Sequence, residues 1–77
     1  MTKQEFLAHL EDVLEADAGT INSDNALMDL EGWDSLAIMA FIAMVDEKFE
    51  TTLAPQKIAE AKTVQDLITL LGDKITN

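Results

Sequence analysis

Three segments of this chain space their apolar side chains three or four residues apart, as an amphipathic helix requires. No segment alternates apolar and polar residues in the way of a half-buried strand. The chain has 77 residues, which is too few for two separate hydrophobic cores. We therefore predict an all-α fold: a small bundle of three main helices plus one short helix, forming a single domain over residues 1–77.

Capping residues and helix breakers set the expected bounds of these helices. Thr2, with Glu5 three residues later, forms a capping box, and Thr63 with Asp66 repeats the signature. Pro55 suits the first turn of the short helix, where its missing N–H group costs nothing. The first three helices are expected at about 3–16, from 34 or 35 to 49, and at 55–61. The last starts after Thr63, and Gly72 either ends it or weakens a final turn that reaches Ile75.

A long loop, residues 17–34, separates the first two predicted helices. Glycine, asparagine, serine and aspartate replace the helical spacing there. A structureless loop of this length is uncommon in a small domain and is usually functional, unless it contains a short helical turn near residues 24–28. Four apolar side chains are expected to pin the loop to the core: Ile21, Leu27, Met28 and Leu30.

The chain is strongly acidic, with a net charge of −10 from fifteen carboxylates and five basic residues. This charge argues against binding to nucleic acid or to anionic membranes, and it favours positively charged protein partners. The hydrophobic content of 48% is sufficient for a folded core and excludes a disordered chain. The first residues lack the pattern of a secretory signal, and no segment has the length of a membrane span. We therefore expect a monomeric cytoplasmic protein.

The residues needed for catalysis or metal binding are scarce. The chain has no cysteine, so it offers neither a thiolate nucleophile nor a thiolate metal site. His9 is the only histidine and has no partner at ligand spacing, while Asp24-Asn25 lacks the remaining positions of a calcium loop. No glycine-rich phosphate loop is present either. The sequence predicts a protein that is not an enzyme and has no metal site.

One serine occupies an informative position. Ser35 lies in Gly32-Trp33-Asp34-Ser35-Leu36, where the long loop meets the most apolar predicted helix. A hydroxyl at that junction is exposed and faces the positive end of the helix dipole, which suits a phosphate. The simpler interpretation is that Asp34 or Ser35 only caps the helix, a role that contributes about 1 kcal/mol. The mid-chain position in a small acidic domain favours Ser35 as a point of attachment.

Over essentially its whole length the chain resembles the acyl carrier protein family. The resemblance rests on residues 32–36, on Asp46-Glu47-Lys48-Phe49 at the end of the second helix, and on residues 61–67 at the start of the last. In that family the serine of the Asp-Ser-Leu motif receives 4′-phosphopantetheine from coenzyme A, and the thiol of this arm holds acyl groups as thioesters. The resemblance implies that Ser35 is the modified residue and that Asp34 assists metal binding during the transfer.

The resemblance also implies the kinds of partner. These are a phosphopantetheinyl transferase and acyl-activating, ketosynthase or acyltransferase enzymes with basic docking patches.

The second helix should face the core through Ile38, Phe41, Ile42, Val45 and Phe49. The partner-binding candidates on its other faces are Leu36, Met39, Ala40, Ala43 and Glu47. Members of the family commonly carry acidic residues where Ala37 and Ala40 stand, so we expect a specialised pathway rather than bulk fatty-acid synthesis.

Two other functions remain open at this point. A peptidyl or aminoacyl-type carrier would share the same motif and arm, and would differ in the enzyme that loads it. An unmodified acidic helical module could bind a basic partner, with Ser35 serving only as a helix cap. Because the sequence starts with Met1 and ends soon after the last helix, we expect a free-standing carrier that serves fatty-acid, polyketide or specialised biosynthesis.

Overall fold

The computed structural model describes residues 1–76, so Asn77, which the predicted domain includes, lies outside the described residues. The four α-helices are α1 (Lys3–Leu14), α2 (Ser35–Phe49), α3 (Pro55–Glu60) and α4 (Val64–Leu71), and two 3-10 helices span Leu27–Asp29 and Gly72–Lys74. Because α3 has only six residues, three main helices and one short helix are present. The predicted all-α fold is confirmed.

The pairing of Met1 and Lys3 with Thr76 lies at the opposite end of α1 from the start of α2. Gly32 lies against the last turn of α1, where a methyl group added to it would be 3.6 Å from the Leu14 carbonyl oxygen. At the other end the Lys3 N–H donates to the Thr76 carbonyl over 2.7 Å, and the Thr76 N–H donates to the Met1 carbonyl over 2.8 Å. It follows that α1 and α2 run antiparallel and that Ser35 lies far from the described terminal residues.

All four helices contribute to one hydrophobic core. The largest fully buried side chains are Phe6 and Leu10 of α1, Phe41 and Val45 of α2, Ile58 of α3, and Val64 and Leu67 of α4. Phe6 and Phe41 meet edge to face, with ring centroids 5.9 Å apart, which joins α1 to α2. The five residues predicted to face the core from α2 all belong to this cluster or pack against it.

The end of α1 differs from the prediction by two residues. The helix ends at Leu14 instead of Ala16, because Glu15 adopts the left-handed conformation with φ 56° and ψ 37°. The Ala16 N–H then donates to the Glu11 carbonyl over 2.8 Å, which closes the helix end. Glycine or asparagine usually takes this position, so a glutamate gave no sign of the stop.

The long loop contains a short helical turn, as one alternative proposed, but the turn spans Leu27–Asp29 and lies further along the chain than expected. Ile21 and Leu27 are buried, as predicted, and Leu30 is half-buried. The prediction for Met28 is wrong, since 88% of this residue is exposed. Successive residues of a 3-10 helix differ by a third of a turn, so the inward position of Leu27 directs Met28 towards solvent.

The middle of the loop is joined to the start of α4 by backbone hydrogen bonds. The Leu27 N–H donates to the Lys62 carbonyl over 2.8 Å. In the other direction the Val64 N–H donates to the Asn25 carbonyl over 3.0 Å, and the Gln65 N–H donates to the Ser23 carbonyl over 2.9 Å. These bonds satisfy backbone groups that a free loop would leave to water, and they fix the loop that leads to Ser35.

The capping box of α4 predicts that folding stability depends on pH in the acidic range. The Asp66 carboxylate accepts from the Lys62 N–H at 2.9 Å and the Thr63 N–H at 3.1 Å, and these bonds hold the pKa of Asp66 below its ordinary value of 3.8. A lowered folded-state pKa stabilises the fold above 3.8, and this contribution is lost as the pH falls through the lowered value. We expect the free energy of unfolding to decrease less in Asp66→Asn than in the wild type as the pH falls through the pKa of Asp66. Urea midpoints of both proteins at each pH measure this difference. Equal losses in the two proteins would contradict this account.

Candidate functional site

Asp34 and Ser35 have different structural roles at the start of α2. Asp34 is the N-cap in extended conformation, and its Oδ1 accepts from the Ala37 N–H at 2.9 Å. The Asp34 carbonyl accepts from the Ile38 N–H at 2.9 Å, which begins the helical ladder. Ser35 is the first residue of the helix. The capping role therefore belongs to Asp34, and the Ser35 hydroxyl is not needed for it.

Ser35 is exposed at a helix end that suits an anion. The first N–H groups of any α-helix have no partner within the helix. Since Asp34 satisfies the N–H groups of Ala37 and Ile38, those of Ser35 and Leu36 remain directed at the space beyond the helix start. The positive end of the helix dipole adds to the attraction for a phosphate. The residues present thus suit a phosphodiester on Ser35.

Large apolar side chains lie exposed next to Ser35. Leu36 is 77% exposed and Met39 is 66% exposed, although both belong to the most apolar helix. Trp33 is half-buried and packs edge to face on Phe41, with centroids 6.0 Å apart, so it anchors the loop to the core. Exposed apolar side chains that lie next to one another are typical of a surface that other proteins cover.

The remaining predicted partner-binding residues are also accessible. Ala40, Ala43 and Glu47 lie exposed on α2. Exposure is a requirement for docking, and the docking role itself stays a prediction. Ala37, by contrast, is buried, so the helix turns this position towards the interior.

A cleft that the sequence did not predict lies beside the site. A half-open cavity of about 580 Å³ lies between the last turn of α1 and the loop, and Gly32 lines one side of it. Its other lining residues include the acidic side chains of Glu15, Asp17, Asp29 and Glu31. The run of acidic residues was visible in the sequence, but only the close approach of Gly32 to Leu14 shows that they surround one space.

Comparison with known proteins identifies the family. A family model described as the phosphopantetheine attachment site matches residues 4–71. The chain belongs to this family. It is also similar to an acyl carrier protein from Exiguobacterium sibiricum, with 27% identity over 79 residues that cover 97% of this chain and 100% of the relative. No solved structure matches the chain.

The family membership confirms the resemblance and the cofactor that it implied. The protein is a carrier of covalently attached 4′-phosphopantetheine, and the prediction of a phosphopantetheine-dependent acyl carrier is confirmed. Carriers of this family bring an attached group to enzymes and do not themselves catalyse its reactions. Within residues 1–76, no helix combines the length and the apolarity of a membrane span. No group of three potential metal-ligating side chains occurs in that part of the chain.

Proposed function

We propose that Ser35 is the residue that carries the phosphopantetheine arm, and that the arm holds acyl groups as thioesters. The observation that supports this most strongly is the exposed hydroxyl at the first position of α2, directly after an aspartate that already caps the helix. The chain has one other serine, Ser23, which is half-buried in the loop that pairs with α4.

The attachment reaction requires little of this chain beyond an accessible oxygen. The Ser35 Oγ forms a bond to the phosphorus that bears the pantetheine arm of coenzyme A, and the pyrophosphate bond of coenzyme A breaks. Adenosine 3′,5′-bisphosphate leaves, and a base of the transferase accepts the hydroxyl proton. Asp34 uses Oδ1 for the cap, and we propose that its other oxygen assists a Mg²⁺ ion bound by the transferase.

The same surface supports a set of partners. We propose a phosphopantetheinyl transferase and acyl-activating, ketosynthase or acyltransferase enzymes that carry basic patches, since the net charge of −10 favours cationic partners. The protein acts as a monomeric cytoplasmic carrier without catalytic activity of its own. Fast, weak and salt-sensitive association would let one carrier move between several enzymes.

The test is the intact mass of the protein after incubation with coenzyme A, Mg²⁺ and a broad-specificity phosphopantetheinyl transferase. We expect the wild type to gain one phosphopantetheine unit and Ser35→Ala to gain none. The Ser35→Ala protein should keep its helical circular dichroism, because Asp34 remains as the cap.

Ser23→Ala is the matched control and should load like the wild type. A mass gain in Ser35→Ala would place the arm on another residue. If the wild type gained nothing from a transferase shown to be active on a known substrate, the proposal of Ser35 as a carrier residue would be wrong.

A further inference from the structure

The stretch of chain around Ser35 is attached to the core through one side chain. Between residues 31 and 36 every residue is exposed except Trp33, which is half-buried and packs against the hydrophobic core. The nearest residues on either side that are not exposed are Leu30 and Ala37. The segment that presents Ser35 therefore depends on Trp33 for its contact with the interior.

The Trp33 ring lies against α2 well beyond the start of the helix. It meets Phe41 edge to face, with ring centroids 6.0 Å apart and an interplanar angle of 68°. Phe41 follows Ser35 by six residues, which is about 9 Å along the helix axis. Trp33 also directly precedes Asp34, the N-cap. An apolar residue at that position that packs on its own helix fixes the angle at which the chain enters the helix.

Both partners of this aromatic contact are themselves held in place. Phe41 is fully buried and packs on Phe6 of α1, with centroids 5.9 Å apart, so its ring is a rigid support. On the other side the Trp33 N–H donates to the Leu30 carbonyl over 3.3 Å, across a turn in which Gly32 has φ 89°. Two planar peptide units then connect Trp33 to Ser35, so little freedom remains in the position of the serine.

The attachment reaction places a strict demand on that position. The Ser35 Oγ forms a bond to the phosphorus that bears the pantetheine arm, from the side opposite the leaving adenosine 3′,5′-bisphosphate, and its proton passes to a base of the transferase. This chain contributes the place and the direction of Oγ. A misplacement of about 1 Å can lower the rate of such a step on the order of 100-fold.

We propose that Trp33 is a positioning residue for the attachment reaction. Its ring, packed on Phe41, fixes the entry of the chain into α2 and thereby holds the Ser35 Oγ where the transferase can use it. This rests on the proposed function, because it assumes that Ser35 is the modified residue. The ring acts through the backbone of Asp34 and Ser35, and docking of the transferase does not depend on it.

The experiment separates docking from positioning. Single-turnover loading is followed by intact mass, with the transferase in excess over the carrier and with saturating coenzyme A and Mg²⁺. A series of transferase concentrations gives the maximum rate of loading and the concentration that supports half of it. The variants are Trp33→Ala, Trp33→Leu and Trp33→Phe.

The matched control is a core variant of equal stability at a distant position. Leu71 is buried at the end of α4, close in the chain to the Thr76 that pairs with Met1 and Lys3. Leu71→Ala or Leu71→Val is chosen, whichever comes closer to Trp33→Ala in urea midpoint. All rates are corrected for the folded fraction, measured by circular dichroism.

We expect Trp33→Ala to lower the maximum rate by about tenfold or more and to leave the half-saturating transferase concentration within about twofold of the wild type. Trp33→Leu keeps an apolar side chain but loses the aromatic pair, so it should lose at least about threefold in rate, and it carries the test if Trp33→Ala does not fold. Trp33→Phe keeps a ring that can meet Phe41 and should stay within about twofold of the wild type. The Leu71 control should load at the wild-type maximum rate.

An unchanged maximum rate in both Trp33→Ala and Trp33→Leu would overturn the proposal. An equal fall in the Leu71 control would do so too, because it would point to a general loosening of the fold. A higher half-saturating concentration at an unchanged maximum rate would make Trp33 a docking contact and would also contradict a positioning role. A Trp33→Phe protein as slow as Trp33→Ala would show that packing on Phe41 is not the cause. If the wild type gained no mass at all, the assignment of Ser35 would fall and this proposal with it, whereas the other outcomes leave Ser35 in place.

Discussion

Phe41→Ala should lower the free energy of unfolding by about 3–5 kcal/mol. The Phe41 side chain is fully buried on α2, and its ring contacts Phe6 of α1 and Trp33 of the loop edge to face. Truncation removes this apolar contact area, leaves a cavity and breaks both aromatic pairs, each worth about 0.5–1.5 kcal/mol beyond burial. A domain of this size has a total stability near the lower end of about 5–15 kcal/mol, so the variant should be close to unfolding at room temperature.

Urea unfolding followed by circular dichroism is the appropriate measurement, because Trp33 touches the altered ring and its fluorescence would report that contact directly. Met39→Ala is the control on the same helix. Its side chain is mostly exposed, so its effect should stay within about 0.5 kcal/mol. A loss below about 1 kcal/mol for Phe41→Ala would mean that the contacts around this ring do not hold α1, α2 and the loop together.

The helices were predictable because their signals are local. Capping boxes, a proline in the first turn of α3 and helical spacing of apolar residues act within one or two turns, so a single sequence contains them. The start of α2 at Ser35 with Asp34 as its cap follows from the same rules. Gly72, with φ 55°, ends α4, as one of the two expectations held.

The wrong predictions concern the end of α1, where the loop begins, and the helical turn within the loop. Glu15 takes a left-handed conformation that its residue type does not favour, and Met28 is exposed because the turn begins at Leu27. Backbone pairing of residues 23–27 with residues 62–65 fixes that turn. Such pairing joins segments far apart in the chain, and no local pattern in either segment specifies it.

In the candidate site, too, the local features were predictable and the features that depend on long-range contacts were not. Ser35 could be singled out from the sequence, since its position at a helix start is a local property. The cleft could not be predicted, because it exists only where Gly32 approaches Leu14 and brings the acidic residues of α1 and the loop around one space. Physical contact between distant segments decides which of the many carboxylates lie around this space.

Glu11 is a buried acidic residue that holds the first part of the loop. Only 7% of the residue is exposed, and its Oε2 accepts from the Gly19 N–H at 2.9 Å and from the Ile21 N–H at 3.1 Å. Glu11→Ala removes the acceptor of both groups and leaves the Ile21 N–H buried without it, which should cost about 1–3 kcal/mol. Glu11→Gln retains an oxygen acceptor and should cost less, because only the charge-assisted part of the bonds is lost.

Hydrogen exchange at the Gly19 and Ile21 amides distinguishes a loosened loop from a general loss of stability. In Glu11→Ala these two amides should lose more protection than the amides of α4, since the loop opens locally while the core remains. Asp12→Ala, an exposed neighbour on α1, should leave both amides protected and change stability by no more than about 0.5 kcal/mol. Unchanged protection at Ile21 in Glu11→Ala would show that the carboxylate does not hold the loop in place.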